Sequence, residues 1–138
     1  MSDVERLSFS IEKPLLARIE RLREQSGYAN RSEFLRDMMR ARLVEREWEL
    51  NKEAVGTITL IYDHHTRGLT DKLTDIQHGH HAAILATTHV HLDHHRCLEV
   101  ILIRGRGGRI RDIADQLRKQ RGVLHGDLSM SSTGRDLT

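Results

Sequence analysis

The chain has 138 residues, of which 38% are hydrophobic and 30% are charged, and its formal net charge is +2 with histidine neutral. This composition is typical of a folded globular protein and leaves room for one ordinary domain or two small ones. No apolar run reaches membrane-spanning length and no leader-like start is evident, so we expect a cytoplasmic protein without a membrane partner. The single cysteine, Cys97, excludes an intrachain disulfide framework. Histidine is the outlier, because nine of the ten histidines fall between His64 and His95.

The first third of the chain predicts a small dimeric domain. Residues 6–12 alternate between apolar and polar side chains, which indicates a half-buried β-strand. A helix that Gly27 can end comes next, and a second helix follows Asn30, whose side chain can cap it together with Glu33. One strand and two short helices cannot bury their apolar stripe alone. We therefore expect residues 1–50 to form a domain that dimerises.

Residues 51–138 show a different order of elements. Gly105 to Gly108 are expected to break the chain, and residues 129–138 are expected to fray. The predicted order is β-α-β-β-α-β, which is the ferredoxin-like arrangement, so the whole chain is predicted to be α+β. The predicted strands cover residues 54–62, 81–91, 97–103 and 123–128, and the predicted helices cover residues 69–77 and about 110–121.

The second predicted strand of this domain carries a candidate metal site. His89 and His91 lie two residues apart, so both side chains leave the same face of the sheet. A five-residue loop after His91 would place Cys97 of the next strand opposite His91. The same register places Glu99 opposite His89, where its carboxylate can accept the second ring N–H. Two imidazoles and a thiolate can share one transition-metal ion and leave one position open.

The N-terminal domain offers candidate contacts to DNA. Arg6, Ser8 and Ser10 project from one face of the predicted strand, as a β-ribbon that reads base edges in a major groove requires. These three residues alone would fit a plain solvent-exposed face better. The free N–H groups from Asn30 to Ser32, at the start of the second helix, form a natural phosphate site and shift the balance toward DNA binding.

The strand-helix-helix order of this domain resembles that of the ribbon-helix-helix repressors. The segments Gly27-Tyr28 and Asn30-Arg31-Ser32-Glu33, which open the second helix, carry the resemblance. The resemblance implies a partner of double-stranded operator DNA, with bases contacted by Arg6, Ser8 and Ser10 and phosphates held by Asn30 and Ser32.

The chain as a whole, from about Arg6 to Leu128, resembles the nickel-responsive NikR regulators. The resemblance is carried by Gln77-His78, Thr88-His89-Val90-His91, Cys97-Leu98-Glu99 and Gln120-Arg121-Gly122-Val123 with His125-Gly126. It implies an ACT-type regulatory domain, a homotetramer built as a dimer of dimers, and nickel-dependent repression of nickel uptake. It also implies a square-planar Ni(II) site formed by His89, His91 and Cys97 of one subunit and His78 of a neighbouring subunit.

The chain departs from the family pattern at two places. The histidine run that follows Gln77 in the family is interrupted here by Gly79. A basic pair follows the domain's first strand in the family, and only Arg67 remains as an expected contact to the DNA backbone.

Glu33 and Asp37 lie one helical turn apart, and the resemblance implies a cation there that bridges the two domains. Ordinary surface acids paired with arginines would show the same spacing.

Two other classes of function remain open at this point. A metalloenzyme could use the open metal position to activate water, although no general base beside that position is evident. A nickel chaperone or store would explain the histidines but not the outward-facing polar residues of the N-terminal strand. We favour a metal-dependent regulator that is not an enzyme. Four loop histidines are expected to be solvated: His64, His65, His94 and His95.

Overall fold

The computed structural model describes residues 3–138, which divide into two compact units. The first unit runs to Leu43 and includes Leu137–Thr138, and the second is Val44–Asp136. No helix among residues 3–138 combines the length and apolar character that crossing a bilayer requires. The elements are α1 (Lys13–Gln25), α2 (Arg31–Glu49), β1 (Glu53–Asp63), α3 (Leu69–Gly79), β2 (Ile84–His91), β3 (Arg96–Arg106), α4 (Gly107–Arg118) and β4 (Val123–Met130).

Helix α1 ends and helix α2 begins where the sequence predicts. After α1, Gly27 adopts a left-handed φ of 79°, and the backbone N–H of Tyr28 donates to the carbonyl of Arg23 at 3.2 Å. A left-handed glycine with such a hydrogen bond is a common C-terminal cap that satisfies the last carbonyls of a helix. At the start of α2, the side-chain oxygen of Asn30 accepts the backbone N–H of Glu33 at 3.0 Å, which confirms the predicted cap.

The predicted strand over residues 6–12 is not formed within the single chain. Residues 3–12 are irregular, and the side chains of Leu7 and Phe9 are 77% and 61% exposed. Helix α1 has no buried residue either. A strand is held by hydrogen bonds to a neighbouring strand, and a lone segment has no such neighbour. The prediction of a strand is therefore wrong for the isolated chain.

The second unit is a four-stranded antiparallel sheet in the order β2-β3-β1-β4, with its helix-facing side buried. Strand β1 alternates between buried and half-buried positions, so one face of the sheet forms the core. The order β-α-β-β-α-β confirms the predicted ferredoxin-like domain and the α+β class. The largest buried side chains include Ile58, Leu60, Tyr62, Leu73, Ile101, Ile103, Ile110, Ile113 and Leu117.

The hairpin of β2 and β3 has the register that the sequence predicts. His91 pairs with Cys97 and His89 pairs with Glu99. Strand β2 begins only at Ile84, because the preceding predicted strand residues form turns in which the N–H of Ala83 donates to the carbonyl of His80 at 2.9 Å.

The glycines before α4 do not break the chain as expected. Gly105 lies in β3, and Gly107 is the first residue of α4. A Cβ at Gly107 would lie 2.9 Å from Cε3 of Trp48, so this glycine permits a close approach of the two side-chain positions. The N–H of Gly108 donates to the side-chain oxygen of Asn51 at 2.8 Å, which supplies the helix with a cap from a distant part of the sequence.

The segment after β4 is also more ordered than expected. Strand β4 continues to Met130, and the N–H of Ser131 donates to the carbonyl of Val55 at 2.9 Å. The indole N–H of Trp48 donates to the carbonyl of Ser131 at 2.8 Å. The expected fraying from residue 129 onward is therefore wrong for residues 129–131, because backbone and indole hydrogen bonds hold them against the sheet.

Candidate metal centre and nucleic-acid interface

A buried thiol and an imidazole meet at the end of the β2-β3 hairpin that lies next to its turn. Cys97 is fully buried at the start of β3, and its Sγ lies 3.3 Å from Nδ1 of His91. Sulfur and nitrogen ligands of one ion, at metal distances of about 2.3 and 2.1 Å, are about 3.1 Å apart at a right angle and about 3.6 Å apart at a tetrahedral angle. The pair therefore already has the spacing of two donors to one ion.

His64, which was expected to be solvated, belongs to the same cluster. Its Nδ1 lies 3.4 Å from Sγ of Cys97. Among residues 3–138, the ligand atoms of His64, His91 and Cys97 form the set that lies within 4.8 Å of one another. Strand β1 places Tyr62 opposite Cys97, so the chain that leaves β1 must pass the thiol two residues later. Only the pairing of β1 with β3 could have revealed this contact.

His89 lies beside this cluster rather than within it. Its ring centroid is 5.1 Å from that of His91, as expected for side chains on one face of a strand. Its Nε2 lies 3.4 Å from the hydroxyl of Tyr62, and the two rings stack with centroids 6.1 Å apart. In this structure the ring of His89 therefore faces a phenol rather than the thiol of Cys97.

Glu99 is nearly enclosed, with 8% of its surface exposed, and its hydrogen bond differs from the predicted one. Its carboxylate accepts the side-chain amide of Gln77 at 3.3 Å, and the amide oxygen of Gln77 accepts the hydroxyl of Thr87 at 2.9 Å. The predicted hydrogen bond from the ring of His89 to Glu99 is thus replaced by a hydrogen bond from the side chain of Gln77 on α3. The reason is that α3 packs over this part of the sheet and brings Gln77 to the carboxylate.

His78 lies apart from the thiol on the last turn of α3. It is exposed, and with Gln77 and Glu99 it lines an open depression between α3 and the sheet. His78 is not a member of the converging donor set of the single chain. An exposed imidazole at a helix end is free to reach another molecule.

The surroundings of this centre favour the neutral forms of Cys97, Tyr62 and His64. Burial raises the pKa of the Cys97 thiol, and nearby carboxylates raise it further. Burial, with Glu99 and Cys97 nearby, raises the pKa of Tyr62 to about 12. Desolvation lowers the pKa of His64, and the neighbouring histidines add to this effect. Neutral imidazoles and one soft sulfur donor suit a borderline divalent ion such as Ni²⁺, Cu²⁺ or Zn²⁺, so the residues present fit such an ion.

The predicted DNA-contacting side chains are exposed in the single chain. Arg6, Ser8 and Ser10 lie in the unpaired segment before α1, and Ser32 lies in the first turn of α2. Arg67 is exposed in the turn that precedes α3. The side-chain oxygen of Asn30 already accepts a backbone N–H within its own helix, as described above.

The two acids of the predicted cation site already have local partners or are exposed. Asp37 accepts the hydroxyl of Tyr28 at 2.5 Å and a guanidinium N–H of Arg40 at 3.2 Å. Glu33 is exposed one helical turn earlier. The pairing of Asp37 with Arg40 agrees with the alternative of ordinary surface acids.

Two family profiles match the two halves of the chain. The ribbon-helix-helix protein, copG family, matches residues 5–46, and the NikR C terminal nickel binding domain matches residues 55–131. Proteins of Geobacter sulfurreducens and Geobacter sp. strain M21, assigned by name to the nickel-responsive regulators, are 49% and 51% identical over 138 residues. Each alignment covers 99% of both chains. A solved structure of an uncharacterised protein from Thermotoga maritima aligns with a TM-score of 0.52 at 10% identity, over 57% of this chain and 98% of that one, which shows a shared fold alone.

Proposed function

Because this chain belongs to the NikR family of nickel-responsive regulators, we propose that it binds operator DNA when loaded with Ni(II) and represses nickel uptake. The family is one of transcription regulators and not of enzymes. The observation that best supports metal dependence is the distance of 3.3 Å between Sγ of Cys97 and Nδ1 of His91. A regulator of this kind works in the cytoplasm, where it has access to the chromosome.

We infer that Ni(II) is held by His89, His91 and Cys97 of one chain together with His78 of a second chain. The spacing of the His89 and His91 rings agrees with two imidazoles that share one ion. The exposure of His78 agrees with a role toward a neighbouring molecule. The bound ion would supply a positive charge that links two strands and two subunits. Glu99 and the phenol of Tyr62 would position these ligands, and His64 would contact the sulfur.

We propose a homotetramer, built as a dimer of dimers, with a DNA-binding domain at 1–50 and a metal-binding regulatory domain at 51–138. The exposed Leu7 and Phe9 side chains support pairing of the N-terminal segments, because single chains rarely expose contiguous apolar surface. On the sheet face that points away from the helices, Val90 and Leu102 are 46% and 42% exposed. That face offers a second contact between chains, and two different contacts generate a tetramer.

The DNA contacts are proposed by residue type. Paired N-terminal segments would present Arg6, Ser8 and Ser10 to base edges. Asn30 and Ser32 would bring the N-terminal end of α2 to a phosphate. We propose that Arg67 contacts the phosphate backbone of the DNA.

We also propose that a cation bound by Glu33 and Asp37 bridges the two domains. The carboxylate of Asp37 would then have to exchange its contact with Arg40 for the ion. This part of the proposal rests on the position of the two acids on one helix face.

Selection from a random duplex DNA pool tests the proposed function. The nickel-loaded chain should enrich a two-fold symmetric sequence, and retention of that sequence should require one Ni(II) per chain. Cys97→Ser should lose retention, whereas His125→Ala, which removes an exposed histidine of β4, should keep it. Retention that is independent of metal would contradict the proposal. Binding of nickel without any enrichment of DNA would favour a nickel store instead.

A further inference from the structure

Two loops of the second unit contain the same three residues in the same local structure. Asp63-His64-His65 begins at the last residue of β1, and Asp93-His94-His95 lies in the turn between β2 and β3. In the first loop the carboxylate of Asp63 accepts the backbone N–H of His65 at 2.9 Å. In the second the carboxylate of Asp93 accepts the backbone N–H of His95 at 2.9 Å. Each aspartate therefore fixes the turn that presents its two histidines.

The two loops are held against each other. The backbone N–H of His64 donates to the carbonyl of His95 at 3.0 Å. The Nε2 of His65 lies at hydrogen-bond distance, 2.9 Å, from the carbonyl of His94. Because β1 and β3 are neighbours in the sheet, these contacts follow directly from the pairing of Asp63 with Arg96. The histidines are thus brought together by the fold and not by chance contact of mobile loops.

We call the converging set of Cys97, His91 and His64 the Cys97 centre. The imidazole rings of the two loops that lie outside this centre have spacings that one ion can accommodate. The ring centroids of His65 and His95 are 5.0 Å apart, those of His94 and His95 are 5.7 Å apart, and those of His65 and His94 are 6.4 Å apart. With a metal–nitrogen distance of about 2.1 Å, each centroid lies about 3.2 Å from the ion. Two such rings are then about 4.5 Å apart at a right angle and about 6.4 Å apart when they are opposite. Taken in pairs, the spacings lie within this range, and small rotations of the exposed side chains would bring all three nitrogens to one ion.

We propose that His65, His94 and His95 form a second binding site, separate from the Cys97 centre, for a borderline divalent ion of the Ni²⁺, Cu²⁺ and Zn²⁺ class. Three neutral imidazoles favour such ions over Mg²⁺ or Ca²⁺, which prefer oxygen ligands. The Asp93 carboxylate also bonds the Arg96 guanidinium and backbone N–H, so it positions the loop and is not a ligand.

The second site differs from the Cys97 centre in strength and in position. It has no thiolate, and its ligands lie on exposed loops, so it fills after the Cys97 centre as the metal concentration rises. His64 lies between the two, with its ring centroid 4.1 Å from that of His65 and its Nδ1 against the sulfur of Cys97. The loop site is therefore adjacent to the solvent side of the proposed nickel centre.

Nickel chloride titration of the full-length chain tests the second site. Bound metal is counted by elemental analysis after equilibrium dialysis, and the thiolate-to-nickel absorption band reports the Cys97 centre separately. The wild-type chain should bind two ions, and His94→Ala/His95→Ala should bind one and keep the full band. Cys97→Ser should lose the band and still bind one ion. His125→Ala, which changes an exposed histidine outside the loops, should bind two ions and keep the band.

The second site is refuted if the wild-type chain saturates at one ion, or if His94→Ala/His95→Ala still binds two. Loss of one ion in His125→Ala as well would show unspecific binding to exposed histidines and would also overturn it. Loss of the absorption band in His94→Ala/His95→Ala would mean that the loops belong to the Cys97 centre. Metal-dependent retention of DNA and the thiolate-to-nickel absorption band report on the proposed function. Only the count of a second bound ion reports on the loop site. The proposed function and the loop site can therefore fail independently.

Discussion

Nickel binding by the wild-type chain should weaken about tenfold for each pH unit between about pH 8.5 and pH 7, and Cys97→Ser should remove this dependence. Burial raises the pKa of the Cys97 thiol above its ordinary value of about 8.5, so the metal-free chain carries a protonated thiol across this range. The ion binds the thiolate, and one proton must leave for each ion bound. One released proton corresponds to about 1.4 kcal/mol of binding free energy per pH unit.

The histidines of the centre add to this dependence in the same direction. An imidazole binds a metal ion only in its neutral form, so protonation of a ligand also weakens binding. Desolvation lowers the pKa of His64 and delays its protonation as the pH falls. Affinity therefore decreases with falling pH.

Isothermal calorimetry in two buffers with different ionisation enthalpies counts the protons released. The measurement is made in the His94→Ala/His95→Ala background, so that the loop histidines do not contribute. At about pH 8, the chain with Cys97 should release about one proton per nickel ion, and the chain with Cys97→Ser should release almost none. Equal proton release by the two chains would refute the assignment of Cys97 as a thiolate ligand.

Three further outcomes follow from the fold and the proposed assembly. Arg6→Ala should lose about 1–3 kcal/mol of discrimination between the selected operator and random DNA per contacted base. Arg67→Ala should weaken binding to operator and random DNA alike and reduce the salt dependence of binding. Competition titrations at two salt concentrations would show both effects. Gly107→Ala should destabilise the metal-free chain by about 1–2 kcal/mol in urea unfolding, because overpacking against Trp48 at about 1–3 kcal/mol exceeds a gain of up to about 1 kcal/mol in helix propensity. Gly79→Ala, with nothing within 4 Å of the added Cβ, should cause no such loss. The nickel-loaded chain should sediment as a tetramer, and a dimer at working concentration would contradict the proposed assembly.

The parts of the fold that depend on local pattern could be predicted from the sequence. Alternating burial fixes which residues of a strand face the core. The pairing of His91 with Cys97 was predicted correctly because a shared metal ion requires the thiolate and the two imidazoles on one face, whereas pairing of Leu92 with Cys97 would place the thiolate on the other face. The cap at Asn30 was also correct, because the side chain and the N–H that it binds are three residues apart.

The errors concern contacts between residues that are distant in sequence. The helix start at Gly107 depends on Trp48 and Asn51, which lie more than fifty residues earlier. His64 reaches Cys97 only because β1 and β3 are neighbours in the sheet. The sequence pattern within a short stretch of the chain carries no information on such contacts. A strand over residues 6–12 would need a neighbouring strand, and no strand among residues 3–138 pairs with it, so alternation alone could not produce it.

His89 and His91 lie on β2, which is an edge strand bonded only to β3, whereas Cys97 lies on β3 with a neighbour on each side. Edge strands open locally at a lower free energy than central strands, and amide hydrogen exchange reports this difference. An ion that joins the side chains of the two strands binds only the closed form. At a free concentration of about a thousand times Kd it would oppose opening by about 4 kcal/mol. The concentration of available metal would therefore set how often this edge strand opens, while the opening of the other edge strand, β4, would not depend on metal.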